Sequence, residues 1–235
     1  MHVLPNKRTP TGQIGSVHIE HKVEHFQQRY YWDCGVSCII MLLSNKQRED
    51  FLARFNEICE DEGFGESTWT IDLCYLLKRF HIKHCMYTIL LGVNEDYRRH
   101  GYYDRIMHLD TQRVYSRFRD ALDSGVQAVE RSVSMKELVS HLTDRGPAIV
   151  LVDAGLLSCD LCKHNKLKAE FRRCFGSNYY RGHYVLLVGH TARRLLYRDP
   201  ALSPRLCATA PRRLQQARLT SGTDHDIIFI YNSYR

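Results

Sequence analysis

The sequence predicts an α+β fold in which a helical part packs on a mostly antiparallel sheet. Helix-type apolar spacing dominates the earlier part of the chain, and three strand-like runs follow near its end with little helix between them. A chain of 235 residues that is 44% hydrophobic and 25% charged can bury a core. No repeat or Pro/Gly-rich linker divides it. We therefore predict one domain over residues 21–235 after a flexible arm over residues 1–20.

Apolar periodicity and capping signals place the helices and strands. Ser134 and Glu137 form a capping box, and Thr70 and Thr111 are candidate N-caps. Helices are expected over residues 35–43, 45–62, 70–80, 111–123 and 134–144. Strands are expected over residues 82–91, 147–153, 183–190, 194–199 and 226–231.

Composition restricts the classes of function. The net charge is +7, but the arginine pairs are scattered, so we expect solvated surface charge and no nucleic-acid partner. No apolar run reaches the length of a membrane span, and residues 1–15 hold no apolar segment of a secretory signal, so no membrane partner is expected. Nine cysteines without such a signal favour a reducing cytoplasmic setting, with the nucleus as the alternative, over a disulfide scaffold.

Residues 28–43 carry the functional prediction. An aromatic loop leads into an Asp-Cys-Gly triplet, and an apolar run after it predicts a buried helix. Cys34 would stand at the N-terminus of that helix, where unpaired backbone N–H groups and the helix dipole favour a thiolate. Gln28, six residues earlier, has an amide that could donate to an oxyanion. The alternative is that Cys34 and Cys38 are both small buried core residues.

A β-hairpin near the end of the chain supplies a candidate base. Polar and small residues around Thr191 interrupt two apolar runs, which is typical of a hairpin turn. A hairpin centred there pairs Val185 with Tyr197 and sets His183 opposite Asp199, with Cβ atoms about 5 Å apart. The carboxylate would then orient the imidazole and fix its tautomer. The alternative is a half-buried strand histidine and an aspartate that only starts a turn.

The pattern Gln-x5-Cys-Gly-x-x-Cys, with a histidine opening a strand and an acid ending the next, resembles the papain-like cysteine peptidases, above all their C39-type branch. The resemblance implies a papain-like fold with Cys34 as nucleophile and Gln28 as oxyanion donor. It also implies that His183 is general base and acid, and that Asp199 orients it. The implied activity is thiol hydrolysis of a peptide or protein substrate, with no metal or cofactor. An inactive descendant would be a non-catalytic interaction domain.

A second resemblance extends over most of the chain, to the guanylyl cyclase domain-containing protein 1 family and its plant relatives. The motifs that carry it are Gln-Gln-x-Tyr-x-Trp-Asp-Cys-Gly, Trp69 to Leu73, Cys159 to Cys162, Gly182-His183, Asp199-Pro200-Ala201 and Gly222 to Ile228. The family name implies conversion of GTP to cyclic GMP, with GTP and Mg²⁺ bound. Such a site needs paired carboxylates, whereas Asp72 and Asp224 are isolated in the sequence and no Walker-type loop is present. Cyclisation is therefore the alternative to hydrolysis.

One group of residues has the spacing of metal ligands. Cys159 and Cys162 form a Cys-x-x-Cys pair, and His164 and Cys174 follow in an irregular stretch. Two thiolates at that spacing with two further nitrogen or sulfur donors are compatible with a tetrahedral zinc site. Because a second Cys-x-x-Cys is missing, free thiols in a surface loop are the favoured interpretation, and zinc or a redox pair are the alternatives.

Overall fold

The computed structural model describes residues 18–64, 67–94, 101–162 and 180–231, without the side chains of residues 101–109. The strands are β1 (His18–Glu20), β2 (His84–Thr88), β3 (Ala128–Glu130), β4 (Ala148–Asp153), β5 (Gly182–Thr191), β6 (Leu195–Arg198), β7 (Cys207–Thr209) and β8 (Ile227–Ile230). They form one sheet in the order β3-β2-β8-β4-β5-β6-β7, with β1 on β5. The described pairings are antiparallel except β2 with β3, which confirms the predicted α+β class and mostly antiparallel sheet.

Helices cover both faces of this sheet. They are α1 (Cys34–Ile40), α2 (Asn45–Ala53), α3 (Phe55–Asp61), α4 (Thr70–Arg79), α5 (Gly101–Arg119), α6 (Met135–Asp144) and α7 (Pro211–Arg218). Alternate residues of β4 enter the two cores: Ile149 joins the core under α1 to α5, and Val150 joins the core under α6 and α7. Within the described ranges, none of these helices combines the length and the apolar character that crossing a bilayer requires.

Local signals placed most helices, with two corrections. The capping box of Ser134 and Glu137 at the start of α6 is confirmed. The helix predicted over residues 45–62 is two helices, because Arg54 leaves the helical region with φ −114° and ψ 25°. The helix predicted from Thr111 begins at Gly101 instead. Asp110, which precedes Thr111, pairs with Arg113 one turn later at 2.8 Å and so belongs inside the helix.

The predicted arm over residues 1–20 ends too late, since its last three residues form β1 and lie against β5. Residues 1–17 lie outside the description. The chain continues along β5 after β1, where the His21 N–H donates to the Val188 carbonyl at 2.7 Å. Gly189 makes this approach possible, because a Cβ there would lie 1.9 Å from the carbonyl oxygen of Ile19.

Candidate active site

Cys34 is the first residue of α1, and its side chain is 7% exposed. The helix is held tightly between α4 and β5. A Cβ on Gly35 would lie 2.7 Å from a methyl carbon of Leu73 on α4 and 3.0 Å from the ring of Tyr184 on β5. The Cys-Gly pair therefore has a packing reason, since only a residue without a side chain lets the thiol-bearing end of α1 come this close.

The hairpin of β5 and β6 has a different register from the predicted one. Leu187, not Val185, pairs with Tyr197, and a bulge follows Leu187 along β5. The predicted cross-strand pairs are therefore wrong. Near the site the register differs by two residues, and an even shift keeps each side chain on its face of the sheet. Asp199, directly after β6, reaches His183 diagonally, with 2.8 Å between Nε2 and Oδ1.

His183 touches both of the other candidate residues. Its buried position opposes protonation, but hydrogen bonds with the Asp199 carboxylate and the Cys34 thiol outweigh that effect and raise its pKa to about 10. Burial acts against ionisation of Asp199 as well, yet the contact with His183 lowers the pKa of that carboxyl below its ordinary value. Because Nε2 faces Asp199, Nδ1 is the ring nitrogen left for the thiol. The structure thus brings Cys34, His183 and Asp199 together.

Gln28 lies beside this group, but its side chain is engaged locally. Its backbone N–H donates to the Pro200 carbonyl at 2.9 Å, which ties its loop to the turn after Asp199. Its Nε2 donates to the Tyr30 carbonyl at 2.7 Å. One amide N–H remains available, and the role of Gln28 as an oxyanion donor stays a prediction.

Asp33 organises the aromatic loop that precedes Cys34. Its buried carboxylate accepts the backbone N–H groups of Arg29 at 3.1 Å and Tyr30 at 3.0 Å, and it makes no capping bond to α1. Burial raises the pKa of this carboxyl, while those two hydrogen bonds act in the opposite direction. Asp33 therefore sets the shape of the loop and leaves the start of α1 uncapped by its side chain.

Cys38, the competing thiol, is fully buried one turn further along α1. Burial, followed by the neighbouring Cys34 and Asp199, raises its pKa well above the ordinary value. A thiol in that state is a poor nucleophile. Cys34 is the better candidate of the two.

A cavity of about 120 Å³ opens beside Cys34. Four aromatic residues and two carboxylates are among its lining residues: Tyr31, Trp32, Trp69, Tyr184, Asp224 and Asp226. Thr70 joins two of these groups, since its hydroxyl contacts Tyr184 at 2.8 Å and donates to Asp226. Burial and then the charge of Asp224 raise the pKa of Asp226 to about 7.

Sequence reasoning did not single out Asp226 or its role beside Asp224. Asp224 is not isolated in the folded chain, contrary to the prediction, because Asp224 and Asp226 line the same cavity. Asp72 has a structural role instead. It is fully buried and pairs with Arg113 at 3.0 Å and Arg117 at 2.9 Å. Two carboxylates spaced two apart near the start of a strand would have been the available signal.

The Cys-x-x-Cys pair meets a third cysteine, Cys207, which carried no sequence signal. The sulfur atoms of Cys159, Cys162 and Cys207 all lie within 4.8 Å of one another. All three side chains are buried, so the favoured interpretation as thiols of a surface loop is wrong for the two that it covers here. His164 and Cys174 lie outside the described residues, and their role as zinc ligands stays a prediction.

Known proteins support the second resemblance. The family model described as "Guanylylate cyclase" matches residues 23–230. A curated relative, Guanylyl cyclase 1 of Arabidopsis thaliana, is 33% identical over 232 residues, which is 97% of this chain and 81% of the relative. A crystal structure described as a C39-like peptidase from Bacillus anthracis is 16% identical over 43% of this chain and 49% of its own chain. Its TM-score of 0.30 is too low to indicate a shared fold. The chain belongs to the Guanylylate cyclase family, as its sequence motifs implied.

Proposed function

We propose that this protein is a thiol acyl hydrolase of the cysteine peptidase type, with Cys34 as nucleophile. The observation that carries the proposal is the position of His183, which bonds Asp199 at 2.8 Å through Nε2 and also contacts the Cys34 thiol. A cysteine nucleophile needs a base, and the base needs an orienting group. The α+β fold and this trio together support a papain-like site.

The raised pKa of His183 decides how the site would start its reaction. At neutral pH His183 keeps its proton, because its pKa lies near 10. A cysteine attacks as its thiolate, and an imidazolium beside the sulfur would compensate that negative charge. Asp199 holds the ring and compensates its charge.

Acyl transfer then follows in two steps. The Cys34 sulfur attacks the acyl carbon, and the carbonyl π electrons move to its oxygen. Backbone N–H groups of the first turn of α1 and the amide of Gln28 are the available donors for that oxyanion. His183 gives its proton to the leaving amine as the C–N bond breaks. In the second step His183 takes a proton from water, whose oxygen attacks the thioester, and the acid leaves with Cys34 again a thiolate.

The cavity supports a peptide or protein substrate that inserts a single side chain. A volume of about 120 Å³ holds little more than that. Tyr31, Trp32 and Trp69 offer apolar surface, and Asp224 and Asp226 offer hydrogen-bond acceptors in the same cavity. Such a site suits a residue with an apolar stem and a polar N–H head.

Selective labelling tests the hydrolase. Limiting iodoacetamide followed by peptide mass spectrometry should modify Cys34 before the other eight of the nine cysteines. His183→Ala should slow that reaction at least about 10-fold, because the imidazolium no longer supports the thiolate. Cys38→Ala is the matched control and should leave it unchanged. Equal labelling rates in the wild type and His183→Ala proteins would sink the proposal.

A second candidate is cyclisation of GTP, which the name of the Arabidopsis thaliana relative suggests. The specific observation in its favour is that Asp224 and Asp226 line one cavity, since metal-assisted phosphoryl transfer uses paired carboxylates. Incubation with GTP and Mg²⁺ or Mn²⁺, followed by mass spectrometry, separates the two. The cyclase predicts cyclic GMP that survives Cys34→Ser and disappears with Asp224→Asn. If Cys34 is not labelled selectively and no cyclic GMP forms, the protein is a non-catalytic interaction domain.

A further inference from the structure

Three buried cysteines meet on the side of the sheet covered by α6 and α7, in a different core from the one that holds Cys34. Cys159 and Cys162 lie on the connection after β4, and Cys207 is the first residue of β7. Their sulfur atoms all lie within 4.8 Å of one another, and those of Cys162 and Cys207 are 3.9 Å apart. We propose that this triad binds a zinc ion that has a structural role.

The spacing of the Cys162 and Cys207 sulfurs fits one edge of a zinc tetrahedron, and the Cys159 sulfur lies within 4.8 Å of both. With Zn–S bonds near 2.3 Å, two sulfurs in a tetrahedral site are separated by about 3.8 Å. The 3.9 Å between Cys162 and Cys207 already has that value. A disulfide requires about 2.05 Å between sulfurs, and three thiols cannot all be joined by one such bond.

Hydrogen-bond donors surround the sulfurs. The backbone N–H groups of Leu161 and Ala208 both donate to the Cys159 sulfur at 3.4 Å. The guanidinium of Arg205 lies 3.6 Å from the Cys162 sulfur. Donors of this kind stabilise thiolates and orient them toward a metal. A thiol that only fills a core gains little from such donors, because its sulfur is a weak acceptor, whereas a thiolate accepts them strongly.

The neighbouring acid is occupied elsewhere, so the site is a thiolate site. Asp160, between the two cysteines of the pair, forms ion pairs with Arg194 and Arg213. Its backbone N–H donates to the Ala208 carbonyl at 2.7 Å, which fastens the loop to β7. A set of three soft thiolates selects Zn²⁺ over Mg²⁺ or Ca²⁺, which prefer oxygen ligands.

The ion would join two segments that border the candidate active site. Cys207 begins β7, directly after the turn that carries Asp199, and Cys159 follows β4, whose Val152 pairs with His183. A bond network between these segments restrains the turn at Asp199 without touching the thiol of Cys34.

Metal content of the full chain tests the proposal. Protein produced in zinc-supplemented medium and purified without chelator should contain about one zinc ion per chain, as measured by inductively coupled plasma mass spectrometry. Cys207→Ser should reduce that content at least about five-fold, because a ligand is lost. Cys85→Ser is the matched control, since Cys85 is a buried free thiol on β2, and it should keep the zinc. Only trace zinc in the wild type, or full zinc in Cys207→Ser, would overturn the site.

Cysteine alkylation of the wild-type protein tests the same site without a substitution, in case Cys207→Ser does not fold. The folded protein is alkylated with and without prior treatment by a strong chelator. Cys159, Cys162 and Cys207 should react several-fold faster after chelation, because the metal no longer shields their sulfurs. Equal rates in both samples, or a disulfide among the three, would contradict the proposal.

Discussion

His183 is the residue on which the candidate site depends, and its charge is set by its contacts. Asp199→Asn should lower the pKa of His183 by about 1 to 3 units from its value near 10, because the burial that opposes protonation is no longer outweighed by a carboxylate. The expected result is a ring that titrates much closer to neutral pH. Nuclear magnetic resonance of the histidine rings measures this directly.

The buried ring of His84 is the internal control for that titration. Burial lowers its pKa, and Asp199 is not among the groups that influence it. Its titration should therefore be the same in both proteins. A His183 resonance that titrates alike with and without the carboxylate would contradict the proposed orienting role.

Asp226 should make the protein less stable as the pH rises. Its pKa is raised by burial from 3.8 to about 7, so the folded state holds this proton more tightly than the unfolded state does. The free energy of unfolding then falls between about pH 4 and pH 7 and is flat above, by a total on the order of 2–4 kcal/mol. Asp226→Asn should remove this component, as urea unfolding at several pH values would measure.

The difference between the two proteins is the quantity to follow. His84 and His141 have pKa values lowered by burial, so they add a slope of the opposite sign in part of this pH range. That slope is common to both proteins and cancels in the difference. Parallel stability curves for the wild type and Asp226→Asn would show that this carboxyl is ionised in the folded state like an ordinary one.

The proximity of Cys34, His183 and Asp199 was predictable because each residue carried a local sequence signal, and because their arrangement tolerated an error in strand register. His183 and Asp199 stayed on one face since the observed pairing near them differs from the predicted one by an even number of residues. Cys207 carried no such signal. It meets Cys159 only through the order of strands in the sheet, which a local pattern does not contain.

The contact between α4 and α5 depends on one buried acid. Asp72 is fully buried and binds Arg113 and Arg117 of α5. Asp72→Ala removes the acid that both arginines share and should cost about 1–3 kcal/mol of unfolding free energy. Arg113 still pairs with Asp110 at 2.8 Å and Arg117 with Glu62 at 2.9 Å, so each cation keeps one partner. Arg119→Ala, which breaks an exposed pair with Asp120 at the end of α5, should have no measurable effect. Denaturant unfolding distinguishes the two, and equal effects would refute the assignment.

The packing of α1 against α4 and β5 has a direct test. Gly35→Ala places a methyl group 2.7 Å from a methyl carbon of Leu73 and 3.0 Å from the ring of Tyr184, so these side chains or the start of α1 must move. We expect a loss of about 1–3 kcal/mol in stability and slower alkylation of Cys34. Ser37→Ala on the same helix is the control. Its buried hydroxyl has no hydrogen-bond partner among the described residues, so its removal should be neutral or slightly stabilising.

Elements with their own signals were predictable, and elements that depend on partners were not. The capping box of α6 predicted its start correctly. Thr70, the predicted N-cap of α4, is instead its first helical residue, because Trp69 takes the N-cap position. The strands β1, β3 and β7 have three residues each and were missed. So short a segment is a strand only because a neighbour pairs with it, and its own sequence carries too few side chains to show alternation.

The whole sheet is held together by its last described strand. β8 pairs with β2 on one side and β4 on the other, and its four residues are at most 5% exposed. At roughly 1.5–3 kcal/mol for each buried apolar side chain, this strand contributes as much as the net stability of a typical domain. A chain truncated before Asp226 should therefore show no cooperative unfolding transition by circular dichroism.

A substitution that keeps the strand provides the comparison. Ile228→Ala leaves the backbone pairing of β8 intact and should stay folded, with a loss of about 2–5 kcal/mol. A truncated chain that still unfolds cooperatively would mean that the two halves of the sheet are stable apart.

The place of β8 also governs the order in which a growing polypeptide can acquire its shape. During translation every other described strand leaves the ribosome before β8. Until β8 follows, the edges of β2 and β4 that pair with it have no partner strand. We therefore expect the nascent chain to expose these edges, and to depend on chaperones, until residues 227–230 have left the ribosome. Messages interrupted earlier would yield material for proteolysis rather than a smaller working unit.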